Sequence, residues 1–543
     1  MRRATAAVGG HVLFLGALGL SGCALVFDYG DYGDTSGTTS PTGTAGEGGT
    51  GAAGGTTGGG GTTGGGGAPS TGGGGAGAAG GAGGCAPAVE IPLNDADEDC
   101  DGVSGGQHVW HARFGDAEEQ ALSHVAVDGS GNVLLTGRYK GTLGIGSGNE
   151  VGPPATGPDM FLAKLDAQGG PVWIRSGAGA PTPRESHGVA ADGDGNAFVT
   201  GHFVDTAQGP DPRAFVRQVL ADGTEGWTEE LSGASSSAGA AVATDTAGLV
   251  YVTGHYRGTI DFADAPRTSA GDGTKDDVFV ARYDAVGALM WSQSFGGDED
   301  DAARAVAVDA AGESFVTGEY RGTPPGLPDA GNGMLAMFSA VFAMKLSPSG
   351  AVAWKKGFPS VTLTTGNARG TSVAVDKEGA VWITGAMYGD TKFGSGDALL
   401  YSGGADLFVA RLDPMFGDVL WARSFGDGGD QVGTSVAVAE DGSVFVAGAF
   451  SGAMDLDPMG PGGELTAQSG QDLFLVKLDA GGHHLWSARL AQAEPPGPRD
   501  VGLATHGDHV VLAGGWLGGL DFGSGGVSPP LGGLDVFAVK LSL

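Results

Sequence analysis

Basic residues are scarce in this sequence. Lys and Arg number 28 against 62 for Asp and Glu, so the formal charge is 28 − 62 = −34 over 543 residues. A chain this acidic is repelled by nucleic acid phosphates and by anionic membrane surfaces, so neither is an expected partner. Long hydrophobic runs are missing too. The apolar stretch "VLFLGALGL", Val12 to Leu20, falls short of the roughly 20 residues that a membrane-spanning helix needs. No part of residues 108–543 carries a sustained 3.6-residue apolar period, so almost no helix is expected. Cysteine is nearly absent, with three in the whole chain.

Glycine, by contrast, supplies 109 residues, about one in five against a usual share of roughly 7%. The excess is concentrated between Ser36 and Gly84, where almost every residue is Gly, Ala, Ser or Thr. Such a stretch buries too little apolar surface to offset the entropy of ordering. Residues 24–84 therefore read as a disordered tether, spanning roughly 40 Å root-mean-square for a Gly-rich coil of about 50 residues.

Residues 1–23 have the layout of an export signal: Arg2 and Arg3, the apolar run, then "SGC". The "LSGC" ending at Cys23 resembles the lipobox of bacterial lipoproteins. That resemblance implies that Cys23 is lipidated and becomes the mature N-terminus, and Ala24 beside it implies the outer membrane. Cys85 and Cys100 then form an isolated pair in an oxidising compartment and are expected to close one disulfide. No free thiol is left as a nucleophile.

Around the second of these cysteines lies "NDADEDCDGVSGG", Asn94 to Gly106. Asp97, Asp99 and Asp101 followed by Gly102 give D-x-D-x-D-G, the first half of a calcium loop, in which alternate carboxylates converge and the glycine permits the sharp turn. His108 stands where the twelfth-position glutamate of such a loop would be. The run resembles the "DNDCDG"-type motif of bacterial surface proteins and the aspartate-rich calcium repeats of thrombospondin type. Residues 85–107 read either as a calcium-binding segment or as a solvated acidic spacer.

From His108 onward the sequence repeats with a period of about 62 residues. Trp110, Trp173, Trp227, Trp291, Trp354, Trp421 and Trp486 mark the beat. A "TG" or "AG" dipeptide keeps it at Thr136, Thr200, Thr253, Thr317, Thr384, Ala447 and Ala513. Phe161, Phe215, Phe279, Phe342, Phe408, Phe474 and Phe537 keep it a third time. Each unit holds four short β signals, in the first unit "HVAVD", "NVLLTG", "DMFLAKLD" and "PVWIRS". Four antiparallel strands repeated seven times predict an all-β, seven-bladed β-propeller over residues 108–543. The first strand of each unit, where alanines alternate with valines, is predicted innermost.

The first Trp strand, "HVWHARFG", has no partner strands before it, and the last unit ends on a third strand, "DVFAVKLSL". His108 to Phe114 is therefore predicted to be the outermost strand of the last blade, pairing with Asp535 to Leu541 and closing the ring. The pattern "W…FGD…A…VAVDGSGNVLLTG…DMFLAKLD" resembles the bacterial SBBP repeat, a family of exported seven-bladed propellers. The resemblance covers residues 108–543 and implies a fold, with no shared catalytic residues to carry over.

Three features could carry chemistry. "DGSGN", Asp128 to Asn132, could hold a cation or a phosphate, but its sister copies "DGDGN", "DTAGL", "DAAGE", "DKEGA", "EDGSV" and "HGDHV" keep only turn formers, so it reads as a hairpin turn. The loops "GDAEEQ", "GGDEDD" and "GDGGDQ" read as solvated acidic loops. Arg138, His202, His255 and Glu319 follow the "TG" in the first four units, where Ala386, Ala449 and Gly515 stand in the last three. These four residues form a candidate ligand rim, by fold analogy.

Catalysis has little support: there is no H-E-x-x-H and no serine elbow before a helix. No catalytic residue and no cofactor other than calcium is expected. The sequence reads as a monomeric cell-envelope lipoprotein whose propeller binds a protein or glycan partner and which touches the membrane only through its lipid. The alternatives are an exported propeller enzyme acting on polysaccharide and a purely structural envelope protein. The longest variable loop, Thr323 to Ser339, carries Asp329 as its one acid, which favours binding over catalysis by paired carboxylates.

Overall fold

The computed structural model describes residues 108–542, apart from 155–156, 178–182, 206–208, 331–337, 362–365, 459, 461, 469, 494–500, 517 and 521–533. Cys23, Cys85, Cys100, Asp97, Asp99 and Asp101, with the expected signal, tether and acidic segment, lie outside the described residues. Among the described residues every regular element is a β-strand, and no helix is long and apolar enough to cross a membrane.

Among the described residues the strands build seven antiparallel blades of four strands each, the third carrying a short fifth strand, Pro266–Thr268, and three two-stranded ribbons lie outside them. Blade 1 runs from the axis outward as Gln120–Val127, Val133–Tyr139, Asp159–Leu165 and Pro171–Ser176. The first strands of blades 2 to 7 are Arg184–Ala191, Ser232–Thr244, Ala302–Val308, Ala368–Val375, Gln431–Val438 and Val501–His506. Each touches the first strand of the next blade, and the seventh touches the first, so the inner ring is closed. His108–Phe114 supplies the outer strand of blade 7, antiparallel to Asp535–Ser542, with His111 opposite Val539 and Phe114 opposite Val536. The predicted architecture and closure are both present.

Packing explains the three sequence markers. Apolar side chains gather in seven clusters, each shared by two neighbouring blades, so it is the wedge between sheets that is dry. Each marker phenylalanine lies directly across from the glycine of the "TG" or from its equivalent: Gly137 opposite Phe161, Gly254 opposite Phe279, Gly514 opposite Phe537. A Cβ on Gly137 would run into the Ala121 carbonyl and the Phe161 ring. The preceding threonine turns its hydroxyl onto the same phenylalanine's carbonyl, as Thr136 does on Phe161 at 2.8 Å and Thr317 on Phe342 at 2.7 Å. The marker tryptophans lie on outer strands, and Trp110, Trp173, Trp227, Trp291 and Trp354 donate their indole N–H to the outer turn of the next blade.

The "DGSGN" turn is a turn. One carboxylate oxygen of Asp128 accepts the N–H groups of Ser130 and Asn132, and Gly131 has φ of 79°. The other oxygen accepts from the Asn132 amide and from Lys164 at 2.9 Å. Asp192, Asp245 and Asp309 repeat the arrangement in blades 2 to 4, so the oxygens that a cation would need are already engaged.

Candidate functional site

The first strands of blades 1 to 6 each contain a β-bulge, a register slip that leaves one residue without a partner across the sheet. The slipped residues are Ser123, His187, Ala240, Arg304, Thr371 and Thr434. In blades 5 and 6 the threonine hydroxyl donates across to the next blade, Thr371 to the Gly433 carbonyl at 2.6 Å and Thr434 to the Val501 carbonyl at 2.9 Å. In blade 2 an imidazole takes that place: His187 Nδ1 lies 2.8 Å from the Gly239 carbonyl. A carbonyl only accepts, so Nδ1 carries the hydrogen and Nε2 the lone pair. In blade 4, Arg304 instead donates to Glu319 at 2.6 Å.

The four rim residues predicted from the sequence occupy one register position, opposite Ala121, Glu185, Ala238 and Ala302 of the respective first strands. Arg138 is held by Glu119 at 3.2 Å, and Glu119 also pairs with Lys140. His202, His255 and Glu319 form one electrostatic neighbourhood with His187 and Arg304. The rings of His187 and His202 are 5.2 Å apart, tilted by 47°. Glu185 lies directly across the strand pair from His202. One ligand atom from each of Glu185, His187 and His202 comes within 4.8 Å of the others.

Burial and mutual repulsion hold these imidazoles neutral. Burial lowers His187 to about 4, with His202 adding to the effect, and burial with His255 beside it lowers His202 to about 4. Burial also takes His255 to about 4, assisted by the Arg304 charge and opposed by Asp276. For Glu319 burial acts upward, but Arg304, Arg369 and Arg321 outweigh it and keep the carboxylate ionised below its ordinary range. The inner ring of blades 2 to 4 thus presents uncharged nitrogen donors, one carboxylate opposite them and a compensated ion pair.

Glu185, His187 and Arg304 were not singled out from the sequence. The signal was present as polar residues, "RESHG" and "DAARAV", in strands otherwise built of small apolar ones. The acidic loops serve the fold: Asp116 accepts from the N–H groups of Glu118 and Thr142 and from the Gln120 side chain, and Asp427 does the same with Gly429, Ala453 and Gln431. Asp301 accepts from the N–H groups of Gly297 and Arg321. These aspartates tie the loops entering the first strands to the ends of the second ones.

No family model matches the chain. It is 22% identical over 479 residues to an uncharacterized WD repeat-containing protein of Acanthamoeba polyphaga mimivirus, covering 70% of this chain and 34% of that protein. It is 25% identical over 412 residues to the regulatory protein FlaEY of Caulobacter vibrioides, covering 68% of this chain and 40% of that protein. The chain therefore spans between a third and two fifths of the length of these relatives. Among solved structures, a protein of unknown function from Dyadobacter fermentans is matched over its full length and 81% of this chain, at 12% identity and a TM-score of 0.39. The polysaccharide lyase Uly1 is matched over 89% of its chain and 77% of this one, at 10% identity and the same TM-score of 0.39. The closed ring of seven repeated four-stranded sheets makes this chain a seven-bladed β-propeller.

Proposed function

We propose that this protein is an exported, lipid-anchored cell-envelope propeller of the SBBP-repeat kind that binds a protein or glycan partner and performs no chemistry on it. The observation that carries the binding reading is the break in sevenfold symmetry at a single register position. Blades 1 to 4 place Arg138, His202, His255 and Glu319 there, and blades 5 to 7 place Ala386, Ala449 and Gly515. Packing of the blades is repeated sevenfold and accepts small residues at this position, so the polar side chains of one half are left for recognition. The lipobox-like "LSGC" supports anchoring through Cys23.

Two measurements test the proposal. The full chain, produced in a bacterial host with a labelled fatty acid, is expected to carry the label, and Cys23→Ser is expected to lose it. A glycan array and a pull-down from envelope fractions, run with the parent and with Arg138→Ala, are expected to show a partner whose retention drops tenfold or more in the variant. Retention that is unchanged by Arg138→Ala, or hydrolysis of an arrayed glycan by the parent, would overturn the binding reading.

A further inference from the structure

Going beyond the binding role, we infer that Glu185, His187 and His202 form a binding site for one divalent first-row transition ion, of which zinc is the natural probe. The two-histidine, one-carboxylate set is a donor combination that such ions favour, and calcium, which takes oxygen ligands, does not.

Four observations support the site. The ligand atoms already lie within 4.8 Å of one another, and donors bound at about 2.1 Å around a tetrahedral ion stand roughly 3.4 Å apart, so small side-chain rotations bring them into place. His187 is oriented as a metal-bound imidazole is, with Nδ1–H donated to the Gly239 carbonyl and the lone pair on Nε2. His202 has a buried Nδ1 with no hydrogen-bond partner among the described residues, a state that burial makes unfavourable without a ligand. The backbone brings the donors together, because Glu185 and His202 are directly opposed in the strand pair and His187, two residues after Glu185 at the bulge, has its ring centroid 5.2 Å from that of His202.

The surrounding charges permit a cation. Arg304, whose positive charge is felt at His187, is paired with Glu319 at 2.6 Å, which offsets part of that charge. Glu185 supplies the one negative charge in the donor set itself. His255 is close enough to both imidazoles to act on them electrostatically and stands beside the triad. With three protein donors a fourth coordination position stays open, as in zinc centres that hold water or an exogenous ligand.

The test uses the full chain stripped with EDTA and desalted. Zinc is added and titrated by calorimetry, and retained metal is counted after a second desalting. Cobalt is used in a parallel sample for its visible absorption. The expected result is one zinc per chain, an upward shift in melting temperature on adding zinc, and cobalt bands of four-coordinate nitrogen and oxygen ligation. Glu185→Gln and His202→Gln are each expected to weaken zinc binding tenfold to a hundredfold and to abolish the melting shift. Their melting temperatures in EDTA should match the parent's, which reports intact folding. Asp97→Asn with Asp99→Asn and Asp101→Asn is expected to leave zinc binding unchanged. No retained zinc in the parent, or equal retention in the parent and in Glu185→Gln, would overturn the site.

Discussion

The indole N–H of Trp291 donates to the carbonyl of Pro348, 3.0 Å away, across the gap between blades 3 and 4. Two residues further on, Gly350 has φ of 81° and lies beneath the same indole, where a Cβ would come within 2.8 Å of the ring. Trp110 with Gly169, Trp173 with Gly223, Trp227 with Gly287 and Trp354 with Gly417 repeat the contact. The tryptophan of one blade thus clasps the outer turn of the next.

Trp291→Ala is expected to destabilise the propeller by about 3 to 5 kcal/mol, the usual range for removing a buried tryptophan. Gly350→Ala should also destabilise, because the left-handed backbone and the indole both resist the added methyl. Denaturant unfolding of the two variants checks this, and a Gly350→Ala midpoint equal to the parent's would show that the clasp is slack.

Removing residues 108–115 leaves Asp535–Ser542 as an exposed edge and opens the ring. The expected outcome is a broad, multistep melt in place of a single sharp transition. A truncated protein that melts as sharply as its parent would show that closure is not needed for cooperativity.

Asp277 and Asp406 stand at the starts of the third strands of blades 3 and 5, Asp276–Tyr283 and Asp406–Leu412, and each has one oxygen that accepts a backbone N–H and one that lacks a hydrogen-bond partner among the described residues. The equivalent Asp472 and Asp535 face Arg489 at 3.0 Å and Arg113 at 3.7 Å. Burial raises Asp277 and Asp406 from 3.8 to about 6. A carboxyl whose folded value is raised contributes stability below the unfolded value that is lost as pH rises through the folded one. Asp277→Asn and Asp406→Asn should therefore gain in melting temperature relative to the parent between about pH 4 and 7. A difference that stays constant over that range would contradict the assignment.

The acidic segment gives a separate prediction. Calorimetric titration of the full chain with calcium decides between the two readings of residues 85–107: a calcium-binding segment gives one site that is lost when Asp97, Asp99 and Asp101 are all replaced by asparagine, and a solvated acidic spacer gives none. No heat at millimolar calcium would retire the calcium-binding reading.

The fold was legible because each marker records a contact that recurs from blade to blade: Gly137 and Phe161 mark a cross-strand pair, Trp173 an interblade clasp, Asp128 a turn closed by its own carboxylate. The site was legible only in part. His202 and His255 stand at a fixed offset from "TG" and so were found by comparison between units. Glu185 and His187 were not, because the sister units hold Ala121, Ala238 and Ala302 at the first position and Ser123, Ala240 and Arg304 at the second, so comparison between units marks neither as a shared feature. The donors meet across a hairpin, so no contiguous motif records them.

The strand His108–Phe114 and its partner Asp535–Ser542 are 535 − 108 = 427 residues apart along the chain. Six blades can be assembled from contiguous segments as the polypeptide emerges, but the seventh has to wait for Asp535–Ser542. Until that strand is made the edges of blades 6 and 1 remain uncovered, and assistance in keeping them apart matters most at this stage. Trp486 shows the same seam in the finished protein. Its indole N–H, like that of Trp421, is buried without a hydrogen-bond partner among the described residues, and the third and fourth strands of the blade it faces are Asp535–Ser542 and His108–Phe114, with no hairpin turn between them.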